Sequence, residues 1–268
     1  MDLVAPLARV LRADNPGPMT LDGTRSYVLR APDSPGCVVV DPGPQLEPHL
    51  AALADAGPVD LVLVTHRHAD HTGGLTRFRD LTGARSRGVL PEFCVGVPLT
   101  DGEIIDVAGL RIEVLTTPGH TADSVCFMVS APGDPTSGTV VITGDTVLGR
   151  GTTVLAEPDG SLRDYLVSLD RLSTLDLPSP VLGLPGHGPV ITDLRAAVRA
   201  YREHRLERLA QVRSALVALG TALPDAAAQL PEALLDAVTR AVYTDVDPSV
   251  LPAARSSVRA QLEYLRER

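Results

Sequence analysis

A run of seven residues, Thr65-His66-Arg67-His68-Ala69-Asp70-His71, limits this chain more than any other feature in it. It follows directly on the wholly apolar stretch 61–64, which reads as a buried strand. The cluster is therefore presented where a core strand ends. On extended backbone, side chains two residues apart lean to the same side, so His66 and His68 can share one cation. Asp70 and His71 can serve a second once the chain turns, and Gly73-Gly74 let the backbone turn tightly into a helix expected over 73–81. Imidazole and carboxylate without thiolate suit zinc as the default, with manganese or iron as alternatives. A lone His-x-His would be as well explained by a polar loop. Four ligand-type side chains between residues 66 and 71 are not.

Three later positions share one context. His120 stands in Thr117-Pro118-Gly119-His120-Thr121 after a strand expected over 111–115. Asp145 stands in Thr143-Gly144-Asp145-Thr146 after another over 140–142, and His187 in Pro185-Gly186-His187-Gly188 after a third over 181–184. Each sits at the C-terminal end of an apolar run beside a glycine that permits close backbone approach. Singly each is an ordinary turn; together with the first cluster they form one ligand set.

The remaining runs fill in a layered fold. Residues 38–40 read as a strand stopped by Asp41-Pro42-Gly43-Pro44, residues 125–129 as a core strand, and 46–56 as a helix. Strands interleaved with helices imply sheets covered by helices. From residue 194 the pattern becomes helical: Leu209, Val212, Leu216 and Leu219 form a one-sided stripe, 220–224 break it, and 231–243 and 248–268 are further helices. The chain accordingly divides into a catalytic domain, 1–193, and a small helical module, 194–268.

The 268 residues carry a formal net charge of -9, which disfavours a surface that grips a polyanion as a whole. Cys37 and Cys126 lie in strand-like runs and Cys94 stands apart, so the odd set of three reads as buried thiols in a reducing compartment. Residues 1–12 lack the basic start and apolar stretch of a secretion leader, and no run reaches membrane-spanning length; the expected location is the cytoplasm.

With these motifs on the page, the sequence resembles the metallo-β-lactamase superfamily, whose signature is His-x-His-x-Asp-His followed by single His, Asp and His ligands. The resemblance implies an α+β, four-layer αββα fold. It assigns His66, His68 and His120 to one metal and Asp70, His71 and His187 to the other, with Asp145 bridging. A bridging carboxylate would bring two cations to roughly 3.5–4 Å, with a hydroxide between them as nucleophile. Asp70 would orient that hydroxide and is the candidate catalytic residue. Residues 15–24, 144–154 and 201–205 resemble one branch, the β-lactamase-like endoribonucleases, in which the C-terminal module is winged-helix-like. One departure is Arg25-Ser26-Tyr27, where that branch often has Asn-Thr-Tyr. An Arg there bears on what the pocket accepts.

Four functions remain open on this reading. The first is a phosphodiesterase acting on single-stranded RNA with a two-metal centre, opposed by the net charge and by the 3% aromatic content available for base stacking. The alternative is a thioester or ester hydrolase of the glyoxalase II type, which shares all seven ligands. A true β-lactamase is disfavoured by Asp145, where lactamases typically place Cys or Ser. A non-catalytic scaffold would have no need of every ligand. Around the centre, His49 is expected on a helix surface, and His204 outside the ligand set. Arg195, Arg199 and Arg202 share a helical face, with Arg205 and Arg208 drifting off it: either a phosphate-binding edge or a solvated face offset by Glu203 and Glu207. Tyr165 is expected in the core, and Thr121 either orients a ligand or holds its turn.

Overall fold

The computed structural model describes residues 1–268 except Glu157, Pro178, Ser179, Val246 and Arg268. Its strands are β1 (Asp2–Ala5), β2 (Ala8–Arg12), β3 (Arg25–Leu29), β4 (Cys37–Val40), β5 (Val59–Leu63), β6 (Arg85–Arg87), β7 (Ile104–Val107), β8 (Leu110–Thr116), β9 (Val125–Ser130), β10 (Thr139–Gly144) and β11 (Leu182–Pro185). They form two sheets, ordered β1-β2-β3-β4-β5-β6 and β11-β10-β9-β8-β7. The helices are α1 (Glu47–Ala54), α2 (Ala69–Thr72), α3 (Leu75–Thr82), α4 (Leu162–Thr174), α5 (Leu194–Ala218), α6 (Glu232–Val242) and α7 (Leu251–Arg266).

Side-chain alternation explains the layering. In β4, Val38 and Val40 face the second sheet while Cys37 and Val39 face α1 and α3. In β9, Val125, Phe127 and Val129 face the first sheet while Cys126 faces α4 and α5. Both faces of these strands are buried, so their sequences are continuously apolar. The central cluster, with Tyr27, Leu63, Ile112, Phe127 and Ile142, fills the gap between sheets. Leu50, Leu53, Leu75 and Phe78 cover one outer face, and Tyr165, Leu169, Val198 and Tyr201 the other. The order helix, sheet, sheet, helix is the αββα arrangement.

Every strand expected from an apolar run is present. β1, β2, β3, β6 and β7 have no counterpart among the expected strands, because each is short and carries at least one charged residue: β2 reads Ala-Arg-Val-Leu-Arg, β6 only Arg-Ser-Arg. The helix expected over 73–81 is α3, and a further short helix, α2, precedes it within the histidine cluster, separated from it by Gly73-Gly74. α4 and α5 begin on side-chain caps: Ser161 accepts from the Asp164 amide and Asp193 from the Ala196 amide. The first turns of α5 pack on the outer layer through Leu194, Val198 and Tyr201. Its later residues Val212, Ala215 and Leu216 join α6 and α7 in a separate cluster with Leu235, Val238 and Leu262. Leu219 falls past the helix end and is exposed, outside the stripe assigned to it. Cys37 and Cys126 are buried free thiols, and Cys94 is half-buried and also free. Among the described residues no helix is long and apolar enough to cross a membrane.

His49 departs from expectation. It is 6% exposed and hydrogen-bonded to the buried Ser26 hydroxyl at 2.8 Å, because α1 turns this residue toward β3 rather than solvent. Burial pushes its pKa down from 6.5 to about 4. The unfolded chain binds this proton below 6.5 while the native state does not until about 4, so stability present above that window is lost as pH falls through it. The loss should reach up to about 3 kcal/mol. In urea titrations of the metal-stripped protein, the unfolding midpoint of His49→Gln should fall less between about pH 7 and about pH 5 than that of the wild type. Equal falls would rule the assignment out.

Candidate metal centre

All seven ligand-type side chains converge at the C-terminal ends of strands from both sheets. β5 leads into His66 and His68, and α2 carries Asp70 and His71. The second sheet contributes His120 after β8, Asp145 after β10 and His187 after β11. Two groups result: His66, His68, His120 and Asp145, and Asp70, His71 and His187, with ligand atoms lying within 4.8 Å of one another in each. In the first, His68 Nδ1 is 3.1 Å from His66 Nε2 and 3.0 Å from His120 Nε2. In the second, His71 Nε2 and His187 Nε2 are 3.3 Å apart, and Asp70 Oδ2 lies 3.3 and 3.2 Å from them. Asp145 stands between: Oδ2 is 3.7 Å from His120 Nε2 and 3.3 Å from His187 Nε2, while Oδ1 is 3.5 Å from His71 Nε2.

The outer nitrogens decide which inner ones carry lone pairs. His120 Nδ1 is 2.5 Å from the Val154 carbonyl, which only accepts, so Nδ1 holds the proton and Nε2 is a free donor pair. His71 Nδ1 lies 2.8 Å from the Asp41 carboxylate and behaves likewise. The Thr65 hydroxyl donates to Asp41 at 2.6 Å and therefore accepts from His66 Nδ1 at 3.0 Å. His66 and His120 thus present lone pairs inward, and His71 would do so once a cation displaces the proton on its Nε2. Asp145 Oδ1 is buried there without a hydrogen-bond donor. Donor pairs crowded together around an unpartnered carboxylate oxygen are what divalent cations would satisfy, and these residues fit a dinuclear metal site.

The electrostatics agree. Burial pushes His66, His68 and His120 down, His120 to about 4, so these rings are neutral. Burial would also lower His71, but Asp70, Asp145 and Asp41 outweigh it and carry that ring up to about 9. His187 likewise, against its burial, rises to about 10 beside Asp145 and Asp70. Burial alone would raise both carboxyls; the histidines hold Asp70 and Asp145 well below the usual range. The negative potential that draws protons onto His71 and His187 equally draws a dication, whose arrival must expel them.

Glycines at the strand ends permit this density. A Cβ on Gly186 would lie 2.4 Å from Asp145 Oδ1 and 2.7 Å from the His71 ring. Gly119, at φ +141°, would place one 2.4 Å from the Tyr165 backbone.

Three residues of the centre escaped the sequence reading. Asp41 accepts from the Thr65 amide, the Thr65 hydroxyl and His71, yet its only signal was the turn Asp41-Pro42-Gly43-Pro44. The Thr24 hydroxyl donates to Asp70 Oδ2 at 2.8 Å. Asn15 holds Thr24 in turn, its side-chain amide donating to the hydroxyl at 3.0 Å and its carbonyl accepting the Thr24 amide at 2.9 Å. Both belong to the stretch 15–24, in which nothing local to the sequence marks a role for either.

The other candidates fall outside the ligand set. Thr121 bonds Ser124 at 2.8 Å and serves its turn. Tyr165 is buried and donates to the Thr146 carbonyl at 2.6 Å. Arg25 pairs with Asp22 at 3.3 Å and does not line the cleft beside the centre. Arg195 donates to the Leu175 carbonyl and Arg202 pairs with Asp170, so the partners that offset this face are not Glu203 and Glu207. Arg205 is buried, donating to the Thr153 carbonyl. A cleft of about 290 Å³ opens from His120 and Asp145 toward the C-terminal helices, and His204 lines it without joining the ligands.

Comparison with known proteins accords with this geometry. The family model for the Metallo-beta-lactamase superfamily matches residues 19–178, and the chain belongs to that superfamily. It is 34% identical over 219 residues to lactamase-like protein aptB of Emericella nidulans, covering 79% of this chain but only 65% of that protein. It is 31% identical over 225 residues to an atrochrysone carboxyl ACP thioesterase of Aspergillus fumigatus, covering 81% and 67% of the two chains. A metallo-beta-lactamase family protein from Thermus thermophilus superposes with a TM-score of 0.73 at 24% identity, covering 99% of this chain and 95% of that one.

Asp145→Ala should lose both metals when measured by plasma emission on dialysed protein, since it removes the carboxylate between the two groups. Retention of two metals per chain would refute the bridging geometry. Asp41→Asn leaves the ligands but disturbs the tautomer of His71. It should weaken metal binding about 10- to 100-fold in a chelator competition.

Proposed function

We propose that this protein is a dinuclear metal-dependent hydrolase of acyl thioesters. The seven ligands are His66, His68, His120, Asp70, His71 and His187, with Asp145 shared, and zinc is the expected metal, manganese or iron the alternatives. Residues 1–193 carry the centre, and the module 194–268 supplies one wall of the cleft. The observation that carries this reading is the cleft itself. It meets the centre at His120 and Asp145 and is otherwise walled largely by apolar side chains, among them Leu21, Leu148 and Val250. Such a wall suits an acyl group more than a phosphodiester backbone. The thioesterase name of one fungal relative points the same way.

Bound cations would supply a nucleophilic water at neutral pH and an electrophile for the acyl oxygen. The chain does the rest. Asp70, fixed through Oδ2 by Thr24, is an ionised acceptor that orients the attacking water and takes its hydrogen bond. His120 and Asp145 mark the mouth of the cleft, so an acyl group lying in it presents its carbonyl carbon to the centre. Water adds at that carbon, the C–S bond breaks, and the carboxylic acid and the thiol leave.

The endoribonuclease reading suggested by residues 15–24 and 144–154 draws on the cations of α5. Of these, Arg195 and Arg202 are held by the Leu175 carbonyl and Asp170, Arg205 stands in the cleft wall without an ion pair among the described residues, and Tyr243 is the one Phe, Trp or Tyr side chain among the cleft's described lining. Both substrates belong in one experiment. Zinc- or manganese-loaded protein should hydrolyse acyl thioesters of N-acetylcysteamine, with release of thiol followed by a chromogenic disulfide. Asp70→Ala should reduce kcat at least about a hundredfold. Cleavage of labelled single-stranded RNA without thioester hydrolysis would replace this reading with the nuclease one.

A further inference from the structure

The cleft is not uniformly apolar. Met19 and Leu21 reach it from the N-terminal loop, Leu148 from the segment after β10, and Tyr243, Val250 and Ala254 from the C-terminal module. Among these stand Arg150 and Arg205, with His204 beside them. The one acidic side chain in the described lining is Asp145, which belongs to the metal centre.

Arg205 is the unusual member. Only 3% exposed, it donates to the Thr153 carbonyl and lies over the Tyr165 ring at 5.1 Å, and its Nε has no partner. Neither it nor Arg150 forms an ion pair among the described residues. A buried guanidinium without a carboxylate is costly, and one carbonyl and one ring offset that cost in part. His204 adds no compensating charge: burial and the neighbouring Arg205 and Arg208 keep it neutral. This leaves positive charge in the wall of an apolar cleft, in a protein whose net charge is -9. The volume of about 290 Å³ is that of a small-molecule site.

We infer that the cleft binds an acyl group with an apolar body of medium length that carries an oxygen acceptor, oxo or carboxylate, directed at Arg150 and Arg205. The inference rests on the thioester reading and deepens it. The preferred substrates are oxygen-bearing acyl thioesters, and the C-terminal module sets that preference through Arg205, Tyr243 and Ala254. Short acyl groups leave the apolar wall uncovered, and unoxygenated ones leave the guanidinium charge unanswered.

The test compares butanoyl, octanoyl, β-oxo-octanoyl and suberoyl thioesters of N-acetylcysteamine on the zinc-loaded protein. Octanoyl should exceed butanoyl in kcat/KM by at least about tenfold, from burial of four further methylenes. One or both oxygen-bearing acyl groups should exceed octanoyl by about tenfold, mainly in KM, and which of the two does so tells oxo from carboxylate recognition. Arg150→Ala and Arg205→Lys should abolish that second preference. Ala254→Leu, which fills the cleft, should abolish the first. Equal values for octanoyl and both oxygen-bearing thioesters would overturn the inference, as would butanoyl matching octanoyl. If no thioester is hydrolysed, the proposed function fails, and calorimetry with octanoate, β-oxo-octanoate and suberate decides the cleft separately. Either oxygen-bearing acid binding at least about tenfold tighter than octanoate, with the difference lost in Arg150→Ala, supports it, and equal affinities of all three overturn it.

Discussion

The centre rests on a buried carboxylate that touches none of the reacting atoms. Asp41 closes β4 with its backbone at φ 51°, a conformation unfavourable for a residue with a Cβ, and it is 2% exposed. From there it accepts the Thr65 amide at 2.8 Å, the Thr65 hydroxyl at 2.6 Å and His71 Nδ1 at 2.8 Å. One side chain thereby ties the end of β4 to the end of β5 and to α2. Through Thr65 it orders His66, and directly it orders His71, so a single acceptor sets the inward lone pair of one histidine in each metal group. Its burial is tolerable because three donors meet it.

The same economy governs the other sheet. His120 is aimed by the Val154 carbonyl, and the adjacent Thr153 carbonyl is held by Arg205 from α5. The Tyr165 hydroxyl donates to the Thr146 carbonyl, and the Tyr201 hydroxyl accepts the Leu148 amide at 2.9 Å, both beside Asp145 in sequence. Helices α4 and α5 therefore do more than cover the outer face of the second sheet. They brace the loops that carry two ligands and form a wall of the cleft. Helix α5 is joined to the centre by hydrogen bonds as well as by packing.

How much of this could be read beforehand followed from local chemistry. The candidate ligands were legible because His66, His68, Asp70 and His71 crowd into one short run after an apolar strand, and His120, Asp145 and His187 each follow an apolar strand beside a glycine, a position whose density leaves no room for a Cβ, as at Gly186. The core strands β4, β5, β9 and β10 were legible because each holds a run of at least three consecutive apolar residues, buried or nearly so on both faces. β2 and β6 each carry two arginines, exposed in β2 and exposed or half-buried in β6, and lost that signal. His49 was misplaced because a short helix with polar neighbours looks solvated, whereas α1 turns it against Ser26, twenty-three residues away in sequence. Asn15, Thr24 and Asp41 are common turn residues, and their roles come from partners up to 46 residues distant.

The sequence by itself determined the ligand chemistry and the class of fold, because imidazole spacing and buried-strand composition are local properties that few other arrangements explain. Only the tertiary structure decided which nitrogen of each histidine faces inward, where Arg205 lies, and what wall the candidate metal centre faces. Those depend on distant segments meeting, on Val154 against His120, Asp41 against His71, and α7 against the loop at 18–21. A hydrogen bond or a cleft wall belongs to the pair of surfaces that form it, and neither partner's local sequence carries the other's position.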